Sequence, residues 1–313
     1  MGAIVLADTT GMSRETWLEM RKKGIGGSDA AIVCGLSKWK SPVELWLEKR
    51  EEYQAGEPGE AAYWGTVLEE IIAAEFEART GLKVKPDNKI RQHSDHPFML
   101  ANIDRLIVGT NQILEVKTAN AYLAKEWEDD QLPDSYFCQA QHYCAVMEAE
   151  GVHFAVLIGG QKFVNNYVPR NDEFIAKLIE IETDFWHKVE TGERPAIDGS
   201  IVSADLLSKL FPKSNGKEIA LPASAEELIK QYQEAKAEEA AAEFRKQTAE
   251  NALKELLGEA ELGTIQDYKV EWKSTKPRKT LDTKRLEKER PEIYQLYVGL
   301  GNPSRRFSIK GGI

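Results

Sequence analysis

The stretch from Phe98 to Thr118 constrains the fold most, because two apolar runs within it carry charged residues. The runs flank Gly109-Thr110-Asn111-Gln112, and a short polar link between strand-like runs predicts a β-hairpin. Asp104 interrupts the first run, and Glu115 and Lys117 interrupt the second. Residues two apart on a strand share a face, so we expect Glu115 and Lys117 to point the same way.

Charged groups inside apolar strands are costly unless they pair or bind an ion. Two carboxylates and an ammonium group suit a centre in which the acids hold a hard cation such as Mg²⁺ and the lysine orients or activates a water against a phosphodiester. The alternative is an amphipathic hairpin on which Asp104, Glu115 and Lys117 face solvent and form a cross-strand salt bridge. Short patterns recur by chance, so this stretch alone leaves both interpretations open.

The composition bounds the class of protein. The chain has 313 residues, 42% of them hydrophobic, which is enough for one large core and a smaller appendage. Cys34, Cys138 and Cys144 are too few and too scattered for a disulfide framework or for a zinc or iron–sulfur cluster. No apolar run approaches the roughly 18 residues of a membrane span, and the N-terminus does not have the length or basic flank of a signal peptide. We expect a soluble protein of the reducing cytoplasm that does not bind membranes.

The charge is unevenly distributed along the chain. The net charge of −10 argues against a protein that coats nucleic acid indiscriminately. From Lys269 to Ile313, however, 12 Lys and Arg face 5 Asp and Glu, a balance of +7 that leaves −17 for the rest. Such asymmetry is common in enzymes that touch DNA through one surface only.

A glycine-rich turn, Gly24-Ile25-Gly26-Gly27-Ser28-Asp29, leads into an apolar helix start. Backbone N–H groups at such a start form a ready anion site, with Ser28 as the cap. Arg21, seven residues before Ser28, would add a bidentate positive charge. The alternative is an ordinary capped helix start after a flexible turn.

The remaining pattern alternates helices and strands. Helices are predicted over residues 13–23, 41–52, 61–80, 122–128, 134–150, 171–189 and 224–257, and a second hairpin over 152–168. This order predicts an α/β fold with a mixed central β-sheet flanked by helices. We expect a core domain at 1–200, a linker region at 201–222, and at 223–313 a long helix, too broken in its apolar stripe for a coiled coil, followed by a small basic strand–helix–strand tail (264–273, 281–289 and 305–310).

Two polar residues stand on these predicted helices. The helix over 61–80 has a predicted core face made of Trp64, Leu68, Ile71, Ile72 and Phe76. Glu69 lies beside that face, and a solvated acid is its default interpretation. Gln139 shares a face with Tyr143 and Val146, where a glutamine usually caps a neighbouring backbone.

Four motifs in order, across residues 14–195, resemble the PD-(D/E)XK nuclease superfamily and, within it, the phage λ exonuclease and YqaJ-type viral recombinase group. The motifs are Arg21 followed by Gly-Ile-Gly-Gly-Ser28-Asp, Trp64-Gly65-x-x-Leu68-Glu69, Asp104 with Glu115-Val-Lys117, and Gln139-Ala-Gln141-His142. Each motif is weak alone, but four in order are a strong signal. Ile103 replaces the superfamily's proline before the aspartate, at a position that carries no ligand. The region from about residue 200 onward lies outside the resemblance.

The resemblance implies a restriction-endonuclease-like core with a metal-dependent hydrolytic centre. Asp104 and Glu115 would ligate Mg²⁺, or Mn²⁺ as a substitute, with the backbone carbonyl of Val116 as a third ligand. Lys117 would position the attacking water and counter the charge on the phosphate. Glu69 would serve a second metal or hold a metal-bound water.

The same resemblance implies roles for the other two motifs. Gln139 would orient Lys117 or the nucleophile. Arg21 and Ser28, with the backbone of Gly26 and Gly27, would bind a terminal 5′-phosphate, matching the anion site read from the residues.

The implied activity is Mg²⁺-dependent 5′-to-3′ exonuclease action on double-stranded DNA ends. It would leave 3′ single strands for phage-type recombination, with a single-strand annealing protein as partner, a ring-shaped trimer as the expected assembly, and a phage- or prophage-encoded protein in a bacterial cytoplasm. One alternative is a PD-(D/E)XK endonuclease of restriction or junction-resolving type, which shares the acids and lysine but does not need the Arg21 site. The other is a non-catalytic DNA-binding or assembly protein acting through the basic tail and long helix.

Overall fold

The computed structural model describes residues 2–53, 56, 59–127, 131–299 and 305–311. The chain divides into two compact units, Met1–Leu210 and Phe211–Ile313. The helices are α1 (Arg14–Lys22), α2 (Gly27–Val33), α3 (Pro42–Lys49), α4 (Glu60–Thr80), α5 (Asp134–Met147), α6 (Asp172–Thr191), α7 (Ile201–Leu210), α8 (Ala225–Leu257), α9 (Thr283–Glu289) and α10 (Pro291–Tyr297), with a 3₁₀ helix at Ala121–Trp127. The strands are β1 (Ile4–Asp8), β2 (Ile25–Gly26), β3 (Val84–Pro86), β4 (Lys89–Gln92), β5 (Met99–Ala101), β6 (Arg105–Ile107), β7 (Gln112–Ala119), β8 (Gly151–Ile158), β9 (Lys162–Pro169), β10 (Leu262–Ile265) and β11 (Tyr268–Glu271).

The first unit is built on a five-stranded mixed sheet in the order β3-β6-β7-β8-β9. β7 and β8 are parallel and the other neighbours are antiparallel. The β6–β7 hairpin turns at Gly109, whose φ of +81° suits glycine. The predicted mixed α/β architecture and both hairpins are confirmed.

The sequence suggested that the first apolar run of the opening stretch is one strand, but the structure divides it between β5 and β6. β5 belongs to a second sheet, in the order β1-β4-β5-β2, and pairs with β4 and β2. Only Arg105–Ile107 pairs with β7. Asp104 therefore lies in the short break between two sheets, where its carboxylate is half-buried instead of standing inside a continuous strand.

The main core lies between the five-stranded sheet and α5. It gathers side chains from β5, β7, β8 and α5, among them Met99, Ile113, Phe154 and Tyr143. Nine consecutive residues of α5, from Cys138 to Val146, are buried. A helix that is covered on all sides can direct polar side chains such as Gln139 into the interior, where only a matching partner stabilises them.

The predicted core face of α4 is only partly right. Ile72 and Phe76 are buried against Leu114 and Ala155 of the sheet, but Trp64 is 51% and Ile71 62% exposed. The C-terminal half of α4 packs on the sheet, and Leu68 of the N-terminal half is partly buried against the same cluster. The predicted helix over 122–128 is a 3₁₀ helix ending at Trp127, and residue 128 lies outside the described part.

A buried His142–Glu182 pair joins α5 to α6. His142 Nδ1 lies 2.8 Å from Glu182 Oε1 and His142 Nε2 lies 2.9 Å from the Leu100 carbonyl oxygen. Both side chains are fully buried. Burial by itself lowers the pKa of His142, but the Glu182 carboxylate and the Leu100 carbonyl outweigh it, so the net pKa is raised. The folded state therefore binds a proton here more tightly than the unfolded chain.

We expect this pair to make stability pH-dependent. A histidine with a raised folded pKa contributes stability fully below its unfolded value of about 6.5 and loses it as pH rises through the folded pKa. The free energy of unfolding should thus fall as the pH rises above about 6.5 and through the raised folded pKa of His142. Glu182→Gln should flatten that fall and cost about 3 kcal/mol at low pH, because one partner of a buried pair is removed.

Urea unfolding of the parent, Glu182→Gln and the exposed α6 control Glu180→Gln at several pH values measures this effect. A Glu182→Gln profile as steep as that of the parent would contradict it.

The first unit extends beyond residue 200. Residues 201–210, assigned to a linker region from sequence, form α7, whose fully buried Leu206 packs with Val43 and Trp46. No helix among the described residues combines the length and apolar character needed to cross a bilayer.

The second unit contains the predicted long helix. α8 spans 33 residues, none of them buried. The basic tail differs from the expected strand–helix–strand. β10 and β11 pair as a hairpin, α9 and α10 follow, and 305–310 forms no strand. The predicted strand from Thr264 to Lys273 contains the turn at Gln266, whose φ of +50° breaks an extended chain.

Candidate active site

Asp104, Glu115 and Lys117 come together where β6 begins beside β7. The register sets Arg105 opposite Leu114, which brings the preceding Asp104 alongside Glu115. Asp104 Oδ2 accepts a hydrogen bond from the Val116 backbone N–H at 2.8 Å. Lys117 Nζ donates to Glu115 Oε1 at 2.7 Å, as expected for two residues on one face of a strand. The acid–acid–lysine set is one cluster.

The charges in this cluster strongly influence one another. Glu115 is 3% exposed, and burial followed by repulsion from Asp104 raises its pKa to about 7 in spite of Lys117. Burial acts to lower the pKa of Lys117, but Glu115 and Asp104 together raise it to about 12. At neutral pH Lys117 is therefore an ammonium donor and has no free base to offer.

One oxygen of Glu115 is left over. Its Oε2 is buried and has no hydrogen-bond partner among the described residues. An orphaned carboxylate oxygen next to a second carboxylate that repels it fits a site for a divalent cation, which prefers oxygen ligands. In residues 2–53, 56, 59–127, 131–299 and 305–311, no three His, Cys, Asp or Glu side chains are placed to hold one ion. Asp104 and Glu115 would thus need the Val116 carbonyl or water as further ligands.

Gln139 reaches the cluster from α5. Its Nε2 donates to Glu115 Oε1 at 2.8 Å and lies 3.1 Å from the Tyr143 hydroxyl. The Tyr143 hydroxyl in turn donates to the Asn102 carbonyl at 3.1 Å. Gln139 thus contacts Glu115, and among the described residues it forms no hydrogen bond with Lys117, which, with the nucleophile, was one of the two groups that the resemblance implies it orients.

Glu69 lies on α4 beside the same cluster, but it is paired. Arg105 Nη2 donates to Glu69 Oε1 at 3.1 Å and to Glu70 Oε2 at 2.7 Å. Burial and then the nearby Asp104 raise the pKa of Glu69. Arg105 is itself 5% exposed, and sequence reasoning missed it, although a charged residue directly after Asp104 at a strand start was a usable signal.

The glycine-rich turn and α1 lie beside this cluster and carry the residues predicted to bind an anion. Arg21 Nη2 donates to Ser28 Oγ at 2.8 Å, and the Arg21 guanidinium lies 5.0 Å from the ring centre of Trp17. A cavity of about 170 Å³ is lined by Arg21, Ser28 and Asp104 together. The structure therefore joins two groups of residues that lie far apart in sequence.

Of the two glycines whose backbone was expected to bind a phosphate, Gly26 has an occupied amide, and Gly27 has a packing role in addition. The Gly26 N–H already donates to Asp29 Oδ2 at 3.1 Å, so it is not free for a ligand. A Cβ on Gly27 would come within 2.4 Å of the Tyr143 ring, so the close approach of α2 to α5 requires glycine there. Asp29 and Lys49, which sequence reasoning missed, form an ion pair at 2.7 Å beside Arg21.

The comparisons with known proteins agree with the resemblance. Residues 16–150 match the YqaJ-like viral recombinase domain. The chain is 44% identical to the uncharacterized protein YqaJ of Bacillus subtilis (strain 168), over 98% of both chains.

Two solved structures are also similar. An alkaline exonuclease (LHK-Exo) from Laribacter hongkongensis is 20% identical with a TM-score of 0.49, over 63% of this chain and 97% of that one. A phage related exonuclease from Haemophilus somnus 129PT is 14% identical with a TM-score of 0.45, over 62% of this chain and 100% of that one. The similarity to YqaJ along nearly the whole of both chains, with the domain match inside it, shows that this chain belongs to the family of the YqaJ-like viral recombinase domain.

Proposed function

We propose that the protein is a Mg²⁺-dependent exonuclease that hydrolyses double-stranded DNA from 5′ ends, releases mononucleotides and leaves a 3′ single strand. One observation carries this proposal: Arg21 and Ser28 line the same cavity as Asp104. Groups suited to a terminal phosphate thus lie next to groups suited to a hydrolytic cation. An endonuclease would need the second set of residues but not the first.

The residues of the cluster divide the chemistry. Asp104 Oδ1, the free Oε2 of Glu115 and the Val116 carbonyl would hold Mg²⁺ or Mn²⁺. When bound, such a cation polarises the scissile phosphate and lowers the pKa of a water. Gln139 fixes the other oxygen of Glu115. Lys117, as an ammonium group, positions the attacking water and counters the charge that develops on the phosphate.

Glu69 has a conditional role in this proposal. In the structure Arg105 donates a hydrogen bond to Glu69, and the nearby Asp104 carboxylate raises the pKa of Glu69. Because Arg105 binds Oε1 of Glu69, the other carboxylate oxygen would bind a second cation, or a water on the first. If Glu69 left Arg105, Glu70 would continue to neutralise the guanidinium.

The product suggests the partners. A 3′ single strand is the substrate of a single-strand annealing protein, which fits a viral recombinase family. We propose such a protein as the partner, a ring-shaped homotrimer as the assembly, and the cytoplasm of a phage- or prophage-bearing bacterium as the location.

The test is incubation of linear, 5′-phosphorylated duplex with the protein and Mg²⁺, with products resolved by size. The expected products are mononucleotides and a residual 3′ strand, with covalently closed circular DNA left intact. Cleavage of the closed circle would favour the endonuclease alternative. Binding without any hydrolysis of either substrate would favour the non-catalytic one.

We expect the basic tail to add duplex affinity without chemistry. Lys276, Arg278 and Lys279 are exposed in a segment without helix or strand. Each phosphate contact adds about 0.9 to the slope of log affinity against log salt, so replacing all three by Gln should lower the slope by about 2 to 3.

The matched control replaces Lys236, Arg245 and Lys246, which are exposed on α8, for the same change in charge. Fluorescence anisotropy at several salt concentrations measures both slopes. An unchanged slope in the tail variant would instead favour a role in assembly or partner docking.

A further inference from the structure

Asp29 is a buried carboxylate that holds three groups at once. Its Oδ1 accepts from Arg21 Nη2 at 3.0 Å, and its Oδ2 accepts from Lys49 Nζ at 2.7 Å and from the Gly26 N–H at 3.1 Å. The side chain of Asp29 is 8% exposed and that of Lys49 is 5% exposed. Fully hydrogen-bonded charges at this depth are stable, but they are costly to bury, and a well-packed apolar pair would usually serve stability as well.

Lys49 contacts Arg21 directly as well as through Asp29. Its Nζ donates to the Arg21 backbone carbonyl at 2.8 Å as well as to Asp29. Burial lowers the pKa of Lys49, and the Asp29 carboxylate only partly offsets this effect. A single lysine of α3 thus links the backbone of α1 to the carboxylate of α2.

These contacts fix the Arg21 guanidinium on several sides. Both hydrogens of Nη2 are engaged, one by Ser28 Oγ and one by Asp29. One face lies over the Trp17 ring, and Trp17 is itself held by a 2.7 Å hydrogen bond from its Nε1 to Asn102 Oδ1. Nε and Nη1 have no hydrogen-bond partner among the described residues. Because Ser28 Oγ accepts from Arg21, its own hydroxyl hydrogen is also left to donate.

Charge explains why Asp29 comes with Lys49. A carboxylate beside an anion site repels a phosphate, and at short range such repulsion is large. With Lys49 next to it, the group of Arg21, Asp29 and Lys49 carries a net charge of +1. The carboxylate then orients Arg21 without cancelling the attraction for an anion.

We propose that Asp29 and Lys49 are positioning residues for the terminal-phosphate site. They hold Arg21 so that its Nε and Nη1 donors, with the Ser28 hydroxyl, meet a 5′-terminal phosphate, and they thereby set the preference for phosphorylated over hydroxyl ends. This inference rests on the function proposed above.

The test measures kcat/KM on matched duplexes with 5′-phosphate or 5′-hydroxyl ends. Asp29→Asn should lower kcat/KM on phosphorylated ends about tenfold, the lower bound for losing a charge-assisted hydrogen bond. On hydroxyl ends it should change kcat/KM less than about twofold, a difference under 0.5 kcal/mol. Binding of the two duplexes in Ca²⁺, which slows hydrolysis, should show the same loss of preference.

A double-mutant cycle shows whether Asp29 acts through Arg21. Adding Asp29→Asn to Arg21→Ala should cost nothing further, because the residue being positioned is already gone. Lys49→Met should cost at least as much as Asp29→Asn on phosphorylated ends, since it lowers the net charge of the group from +1 to zero and leaves Asp29 paired with Arg21 alone. The control is Glu48→Gln, which breaks the neighbouring 2.6 Å ion pair with Lys40 and should leave the preference unchanged.

Thermal unfolding checks that each variant folds. If Asp29→Asn does not fold, Lys49→Met provides the test, through its ratio of kcat/KM on 5′-phosphate ends to kcat/KM on 5′-hydroxyl ends. A parent that does not distinguish the two kinds of end overturns the end-recognition part of the proposed function, and this inference with it. A parent that does distinguish them, with Asp29→Asn retaining the preference or slowing both ends equally, overturns only the role of Asp29 and Lys49. The role of Asp29 and Lys49 is also overturned if the double variant Arg21→Ala, Asp29→Asn has a lower kcat/KM on phosphorylated ends than Arg21→Ala alone.

Discussion

Lys117→Ala is expected to lower the rate of DNA hydrolysis at saturating Mg²⁺ by roughly 10²–10³-fold, the usual effect of removing one donor that stabilises transition-state charge. DNA affinity should change little, because the ammonium group is half-buried and already paired with Glu115 in the free protein. Single-turnover rates separate hydrolysis from binding and product release. Near-normal activity of Lys117→Ala would show that the cluster is not the hydrolytic centre.

Two further variants sharpen this experiment. Lys85→Ala removes an exposed lysine from β3 of the same sheet and should leave the rate unchanged. Gln139→Leu leaves Lys117 in place but removes the 2.8 Å hydrogen bond to Glu115. If Gln139 acts through Glu115 and not through Lys117, Gln139→Leu should weaken Mg²⁺ binding. The Mg²⁺ concentration needed for half-maximal rate should then rise by a larger factor than the rate at saturating Mg²⁺ falls.

Arg21→Ala is expected to slow hydrolysis of 5′-phosphorylated ends by roughly ten- to a hundredfold, since a hydrogen bond to a charged group contributes about 1.5–3 kcal/mol. A terminal phosphate carries more charge than a bridging diester, so the Arg21 cavity can distinguish an end from an interior position. On 5′-hydroxyl ends the variant and the parent should differ little. Rates on both kinds of end, measured side by side, provide the comparison.

The matched control for Arg21 is Arg14→Ala, on the same helix but outside the cavity that contains Asp104. Equal loss on both kinds of end in Arg21→Ala would mean that Arg21 supports the fold or general DNA binding. In that case the endonuclease alternative would gain weight.

Much of the local structure followed from the sequence alone. Strand periodicity put Glu115 and Lys117 on one face, and their 2.7 Å contact confirms it. The helix predicted over 41–52 begins where Ser41 accepts from the Glu44 N–H, and the helix predicted over 61–80 ends before Gly81, which has a φ of +75°. These features depend on interactions within a few residues, which a sequence pattern records directly.

Ion-pair partners that lie on different helices and strands could not be predicted from the sequence. Nothing in the sequence pairs Asp29 with Lys49, Arg105 with Glu69, or His142 with Glu182, because each contact joins elements that only the packing of α-helices on the sheets brings together. The scattered cysteines make the same point: Cys34 and Cys138 lie 104 positions apart, yet their sulfurs are 3.7 Å apart between α2 and α5.

The sequence by itself determined the chemical identities of the candidate site: two acids and a lysine at strand spacing, and an arginine, a serine and glycines at a turn. Only the tertiary structure decided that Arg21, Ser28 and Asp104 line one cavity, that the Gly26 amide is occupied by Asp29, and that Gln139 binds Glu115. The physical reason is that a side chain's environment depends on long-range packing. Burial raises the pKa of Glu115 and leaves its Oε2 without a hydrogen-bond partner in the described part of the chain, and it arises when α5 packs over the sheet.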